Sequence, residues 1–357
     1  MKRAQKQLVG GVVVAALAAG VGGYAWVRSR TGPQPPPAGP SSPLAEVDLL
    51  EAPSGAAPVA IGPQPPGAPS AAQGDSSTPP GALAPLAATG PNDAASLDTQ
   101  LQRGRELLQA GKRLEARALL SELFFSGRLN AQQEKQAVQD LTMLAELTIF
   151  SLRIAGDDPY AMQYTIRPGD NLVVLERRLG LHVPTQILAK INNLPSASAL
   201  RAGSTIKLLQ GPVHATISKS RFTMDLYLQR DPAPKVFLLR LPVGLGANDS
   251  TPLGRFQVQQ GKKLRNTTWT PPPGSGRTGV YRPGDAGYPL GKEGYWIGLV
   301  GIDENTARHN GYGIHGTNEP DSIGRNASLG CIRLDDHNIE LVFSLLYEKW
   351  STVEIVP

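Results

Sequence analysis

Hydrophobic positions divide the chain into stretches with different periods. Leu8 to Val27 is an uninterrupted run of 20 residues without charge, which as a helix reaches about 30 Å and can cross a bilayer. From Thr31 to Pro91 no period is visible. Between Ser96 and Ser151 the spacing turns helical: Leu97, Leu101 and Leu108, then Ala116, Leu119, Leu120 and Leu123, then Val138, Leu141, Leu144, Ala145 and Thr148. Gly111 and the run Gly127-Arg128-Leu129-Asn130 punctuate this stretch into three amphipathic helices. Residues 163–209 read as strand, helix, helix, strand. Beyond Pro212 short alternating runs predict strands at Ala215–Ser218, Thr223–Leu228, Val236–Leu241, Gly254–Val258, Trp296–Leu299 and Val353–Val356.

Composition sharpens the first two stretches. Lys2, Arg3 and Lys6 precede the apolar run and Arg28 and Arg30 follow it, so residues 1–30 are read as a membrane anchor with the remainder outside the cytoplasm. A cleaved secretory signal is the competing reading, weakened by the length of the run and the lack of a clean small-x-small site. Residues 31–95 contain half of the 32 prolines, and Thr31–Pro91 has no Lys or Arg and only four acidic residues. Such a segment cannot bury enough apolar surface to offset its chain entropy, so it reads as a disordered tether. A net charge of +5 from 35 basic and 30 acidic residues is too diffuse to argue for nucleic acid. One cysteine excludes an internal disulfide and a Cys-rich zinc module.

The helical module, 96–156, is similar over Gly104–Leu123 to one helix-turn-helix of the tetratricopeptide type, and a plain packing role is the simpler expectation. In 162–210 the string Tyr164-Thr165-Ile166, Pro168-Gly169-Asp170-Asn171-Leu172, then Leu175, Leu179, Ile187, Ile191-Asn192-Asn193-Leu194, Leu200, Gly203, Ile206 and Leu208 resembles a LysM module. Asp170 is expected to cap the helix that starts near Asn171, and Asn192 and Asn193 suit a left-handed helix end. The resemblance implies binding to cell-wall glycan.

The chemistry concentrates in 212–357. Cys331 lies 16 residues after His315, both among glycines. A thiol of ordinary pKa near 8.5 needs a neighbouring imidazole to act as a nucleophile at neutral pH, so the pair points to acyl transfer. His309, His337, His214 and His182 read as structural. Asp335 reads as the cap of a helix carrying Ile339, Val342 and Phe343, and Gly261–Tyr295 is long enough to cover a cleft.

The strings Thr251-Pro252-Leu253-Gly254-Arg255-Phe256, His315-Gly316-Thr317, Ser322-Ile323-Gly324 and Ser328-Leu329-Gly330-Cys331-Ile332-Arg333 resemble the L,D-transpeptidase catalytic family of the YkuD type. The resemblance implies Cys331 as nucleophile, His315 as general base, the Gly316 carbonyl as orienter of the imidazole, and the Gly330 and Cys331 N–H groups as an oxyanion hole. It implies that Arg333 shapes the site or holds a substrate carboxylate, with a purely structural ion pair as the alternative; Ser328, Thr317 and Trp269 are further substrate-binding candidates, Trp269 being a wall residue or ordinary core. Leu329 departs from members that carry a second His there, which excludes a proton relay through that position. The expected architecture is multidomain, with a transmembrane helix, a Pro-rich linker, a short helical segment, an α+β (βααβ) LysM module and a mostly-β catalytic domain. The expected reaction cross-links peptidoglycan stems outside the inner membrane, without metal or cofactor. Rival readings are an L,D-carboxypeptidase, attachment of a protein to murein, a sortase-like enzyme, and a silent wall-binding tether.

Overall fold

The computed structural model describes residues 91–272 and 275–357. The apolar run Leu8–Val27 and the proline-rich stretch up to residue 90 lie outside the described residues, and no described helix is long and apolar enough to cross a membrane.

Three helices come first: α1 (Pro91–Gln109), α2 (Arg113–Phe125) and α3 (Ala131–Ala145), the last running into a π-helical turn, Glu146–Phe150. α1 begins five residues before the periodicity does, with Pro91 at its first position, where a missing N–H costs nothing. Asn130 opens α3 with a capping box, accepting from the Gln132 and Gln133 N–H groups while Gln133 reaches back to the Asn130 N–H. Leu97, Leu101, Leu120, Leu141 and Leu144 are buried together, and the aromatic ring that completes their cluster is Phe237, from a strand 93 residues beyond Leu144.

The βααβ unit follows: β1 (Ala161–Thr165), α4 (Leu172–Leu179), α5 (Thr185–Ile191) and β2 (Thr205–Leu209), with β1 and β2 antiparallel. The cap of α4 is Asn171, whose Oδ1 accepts from the Val174 N–H at 2.9 Å. Asp170, expected in that role, instead accepts from the Arg167 N–H, Tyr164 OH and Arg178, closing the turn before the helix. Asn193 is left-handed (φ 52°) as expected of its position. Asn192 is not; its side chain ties α5 to β2 through Leu188 O and both backbone groups of Lys207.

The remaining chain forms β3 (Val213–Ser218), β4 (Thr223–Leu228), β5 (Val236–Pro242), β6 (Leu245–Gly246), β7 (Gly254–Leu264), β8 (Trp296–Gly301), β9 (Gly313–His315), β10 (Asn326–Ser328), β11 (Ile332–Arg333), α6 (Asp336–Leu345) and β12 (Thr352–Val356). Eight strands make one sheet in the order β11-β9-β8-β7-β12-β3-β4-β5, and β6 pairs with β10 separately. All six strands predicted from alternation fall inside observed ones. Val213, Ala215 and Ile217 on β3 and Val353 and Ile355 on β12 face the core. At the β5 end the three helices cover the exposed edge: the Phe237 N–H donates to Ser121 Oγ, and the Phe124 and Phe237 rings sit 4.7 Å apart.

Candidate active site

The end of the sheet opposite the helices carries the reactive groups, and register explains why they meet. β9 and β11 are parallel, with Ile332 opposite Ile314 and Arg333 opposite His315. Partners in register point to one face and side chains two apart share it, so Cys331, His315 and Arg333 emerge on the same side. On β8, Trp296 is opposite His315, and on β7 Leu264 is opposite Trp296. Leu264, Trp296, His315 and Arg333 therefore form one row across four strands, and Cys331 begins the adjacent row. These residues line a cleft of about 340 Å³, with Trp269, Pro289 and Leu290 from the 261–295 insert on its wall.

His315 is buried. Its Nδ1 lies 2.6 Å from the Gly316 carbonyl oxygen; a carbonyl only accepts, so Nδ1 carries the proton and Nε2 keeps its lone pair. The Trp296 ring lies nearly parallel to the imidazole, 13° and 5.7 Å away. Burial, aided by the Arg333 charge, pushes the imidazole down to about 4, against the Gly316 hydrogen bond that raises it. Burial likewise pushes the Cys331 thiol up to about 11. Cys331 Sγ sits 3.9 Å from Gly311 O. Both shifts favour the uncharged forms, so at neutral pH the cleft is bordered by a neutral thiol and a neutral imidazole, not by a standing thiolate–imidazolium pair.

The turn before Cys331 is held from three sides. Gly330 has φ 127°, and a Cβ there would come within 2.7 Å of the Tyr312 ring and 3.0 Å of Ser250 O, so only glycine fits. Thr251 Oγ1, fully buried, donates to Gly330 O at 2.9 Å and accepts from the Gly246 N–H at 2.8 Å. Ser328 Oγ donates to Cys331 O at 2.6 Å and accepts from the Gly330 N–H at 3.1 Å. Both contacts bear on roles expected from the sequence. The Gly330 N–H is engaged by Ser328 and is not a free oxyanion donor, and the Ser328 hydroxyl is spent on the turn although the residue borders the cleft.

Thr317 is also placed differently from expectation. It is buried away from the cleft, its Oγ1 accepting from the Glu319 N–H at 3.0 Å. Arg333 borders the cleft, with Nη1 2.7 Å from Glu319 and a buried Nε that has no acceptor among the described residues. Trp269 is held by two backbone hydrogen bonds with Tyr281, and the Arg277 guanidinium stacks on both rings. Asp335 caps α6 through the Asn338 N–H, and Asp336 accepts from the Lys292 N–H; neither carboxylate borders the cleft. The bracing by Thr251 and the stacking of Trp296 on His315 are contacts that neither string spells out, although the Thr251-Pro252 string marks where one of them starts. Among the described residues no cluster of His, Cys, Asp and Glu could hold a metal ion.

Residues 212–355 match the family model of the L,D-transpeptidase catalytic domain, and residues 164–208 match that of the LysM domain. The chain carries an L,D-transpeptidase catalytic domain preceded by a LysM domain. Relatives named putative L,D-transpeptidase YkuD align with it from Bacillus licheniformis, at 26% identity over 55% of this chain and 99% of the relative, and from Bacillus subtilis, at 28% identity over 51% and 90%. A solved L,D-transpeptidase 1 from Mycobacterium tuberculosis is 18% identical, with a TM-score of 0.28 over 44% of this chain and 67% of its own. Within the L,D-transpeptidase domain, β7 through β11 carry the cleft and β12 with β3 to β5 support it.

Proposed function

We propose that this protein is a peptidoglycan L,D-transpeptidase with Cys331 as nucleophile and His315 as general base. The observation that supports the reading is that His315 and Cys331, from the paired strand ends β9 and β11, border one cleft while His315 Nδ1 is committed to the Gly316 carbonyl, leaving Nε2 its lone pair. Because both groups are neutral, the thiol proton moves to Nε2 as Sγ attacks the carbonyl of the third stem-peptide residue, rather than before substrate arrives. The Cys331 N–H, without a partner among the described residues, supports the oxyanion. Collapse returns the proton from the imidazolium to the leaving D-alanine amine and leaves a thioester on Cys331. The side-chain amine of a second stem then attacks the thioester, its proton passes through Nε2 to sulfur, and a cross-link forms.

The LysM domain binds glycan in this reading and keeps stems close. The run Leu8–Val27 anchors the chain in the membrane with the catalytic part outside the cytoplasm, and residues 31–95 are its tether. Incubating the full-length protein with a disaccharide tetrapeptide, beside Cys331→Ala, tests the chemistry by mass spectrometry. Cross-linked dimer with loss of D-alanine, absent in the variant, is the expected result. Released tripeptide alone would make the enzyme a carboxypeptidase, and no product from either protein would leave only a wall-binding tether.

A further inference from the structure

The strand lattice that explains the catalytic pair also has a second row. Lys262 is two residues before Leu264 on β7, Gly298 two after Trp296 on β8, Gly313 two before His315 on β9, and Cys331 two before Arg333. Alternation puts all four on the cleft face. The row therefore runs from a lysine to the nucleophile across two glycines, a side-chain-free trough into which the edge of Trp296 leans from the neighbouring row.

Lys262 reaches this face through a local irregularity. The β7–β8 register shifts between Val258 and Lys263, and Gly261 has φ 69° inside the shift. Bulges of this kind re-aim a side chain, and here the consequence is that Lys262 borders the cleft, its Cβ against Gly298. The Lys262 ammonium makes no ion pair or hydrogen bond within the described residues and is exposed. Among the described residues the charged groups bordering the cleft are Lys262 and Arg333, the latter paired with Glu319, and no carboxylate borders it. Such a lining selects a ligand that carries anionic groups.

We propose that Lys262 is a specificity-determining residue that holds a carboxylate of the bound stem peptide, distant from the scissile carbonyl. This rests on the transpeptidase reading above. Three strand spacings of about 4.8 Å put the Lys262 backbone roughly 14 Å from that of Cys331. An extended peptide covers that in about four residues, and the lysine side chain shortens the span. The carboxylate it meets therefore belongs to a residue other than the one attacked.

The test pairs turnover with binding, using full-length protein and disaccharide tetrapeptides whose non-terminal carboxyl groups are free or converted to carboxamides. Wild type is expected to favour the free form about 10-fold in kcat/KM. Lys262→Met should lose that preference through KM with kcat nearly unchanged, Lys262→Arg should keep it, and turnover of the carboxamide form should be the same in all three. Equal loss on both forms, or no loss on either, overturns the assignment. Calorimetric binding to Cys331→Ala with and without Lys262→Met separates the two layers. Binding of the free form that weakens about 10-fold with Lys262→Met supports the lysine even if no protein turns over, in which case the transpeptidase reading alone fails. Binding indifferent to Lys262 removes the lysine while the transpeptidase reading stands on its own turnover.

Discussion

Burial decides the ionisation of the reactive pair. A thiol at about 11 and an imidazole at about 4 leave both groups uncharged across the neutral range. Alkylation of Cys331 by iodoacetamide in the free protein should therefore keep rising with pH up to the thiol's own titration, with no plateau below pH 7. A plateau there would reveal a preformed ion pair. The stability consequence has a definite sign: His315 is neutral in the fold down to about 4, whereas unfolded it protonates near 6.5. The unfolded chain binds more protons between these values, so this contribution to stability is intact above about 6.5 and is lost as pH falls towards 4. Denaturant titrations of wild type and His315→Asn from pH 4 to 7 should show a steeper acid loss in wild type. The identities of Cys331 and His315 are legible in sequence because two rare residue types share a glycine-lined spacing. The commitment of the Gly330 N–H to Ser328 was not legible, since it depends on the φ of a single glycine. Lys262 was invisible for the same kind of reason: its face is set by a register shift that no alternation announces.

Among the elements, those with enough residues to show a period were the legible ones. Strands of five or more residues with one buried face, such as β3 and β12, announce themselves by alternation. β6, β9, β10 and β11 are two or three residues long and lie among glycines, so no period exists to be read, and yet β9, β10 and β11 border the site. The helices were legible as helices, but not what they cover. The cap of α4 was misplaced by one residue because Asp170 and Asn171 are both good cap residues, and the tie of Tyr164, Arg167 and Arg178 to Asp170 leaves the cap to Asn171. Gly104 in α1 shows packing overriding propensity. Gly→Ala inside a helix ordinarily stabilises by about 0.5–1 kcal/mol. Here a Cβ would come within 2.5 Å of Leu120, which is fully buried, and overpacking costs about 1–3 kcal/mol. Gly104→Ala should thus lower stability by roughly 1–2 kcal/mol in urea unfolding, and a gain in stability would mean that α1 and α2 can move apart freely.

At the scale of the whole molecule, module boundaries in sequence do not correspond to breaks in the core. One buried cluster runs from Ala145 and Ile149 at the end of the helices, through Leu172, Leu188 and Leu208 of the LysM domain, to Val213, Phe256 and Ile314 of the catalytic sheet. Tyr160 is fully buried at the junction, its hydroxyl donating to Pro234 O and accepting from the Arg230 N–H. Arg117 of α2 makes a buried two-point ion pair with Asp158, just before β1. His182 of the LysM domain stacks on Trp350 ahead of β12, 3.5 Å apart. Lys207 of β2 donates to the carbonyls of Thr148, Ser151 and Arg153, satisfying the end of the π-helical turn. Burial pulls that lysine down to about 8, so it remains mostly charged at pH 7 with three acceptors around it. A LysM domain fixed this way sets a distance and direction between glycan and cleft, which a flexible tether does not. It also predicts that helices, LysM and catalytic domain unfold together. Scanning calorimetry of the full chain should give a single main transition, and Lys207→Met, which strands the buried Thr148 carbonyl at about 1 kcal/mol or more and two part-buried carbonyls beside it, should move the whole of it downward. A transition that splits, leaving the catalytic part at its original temperature, would show instead that the LysM domain is only loosely held.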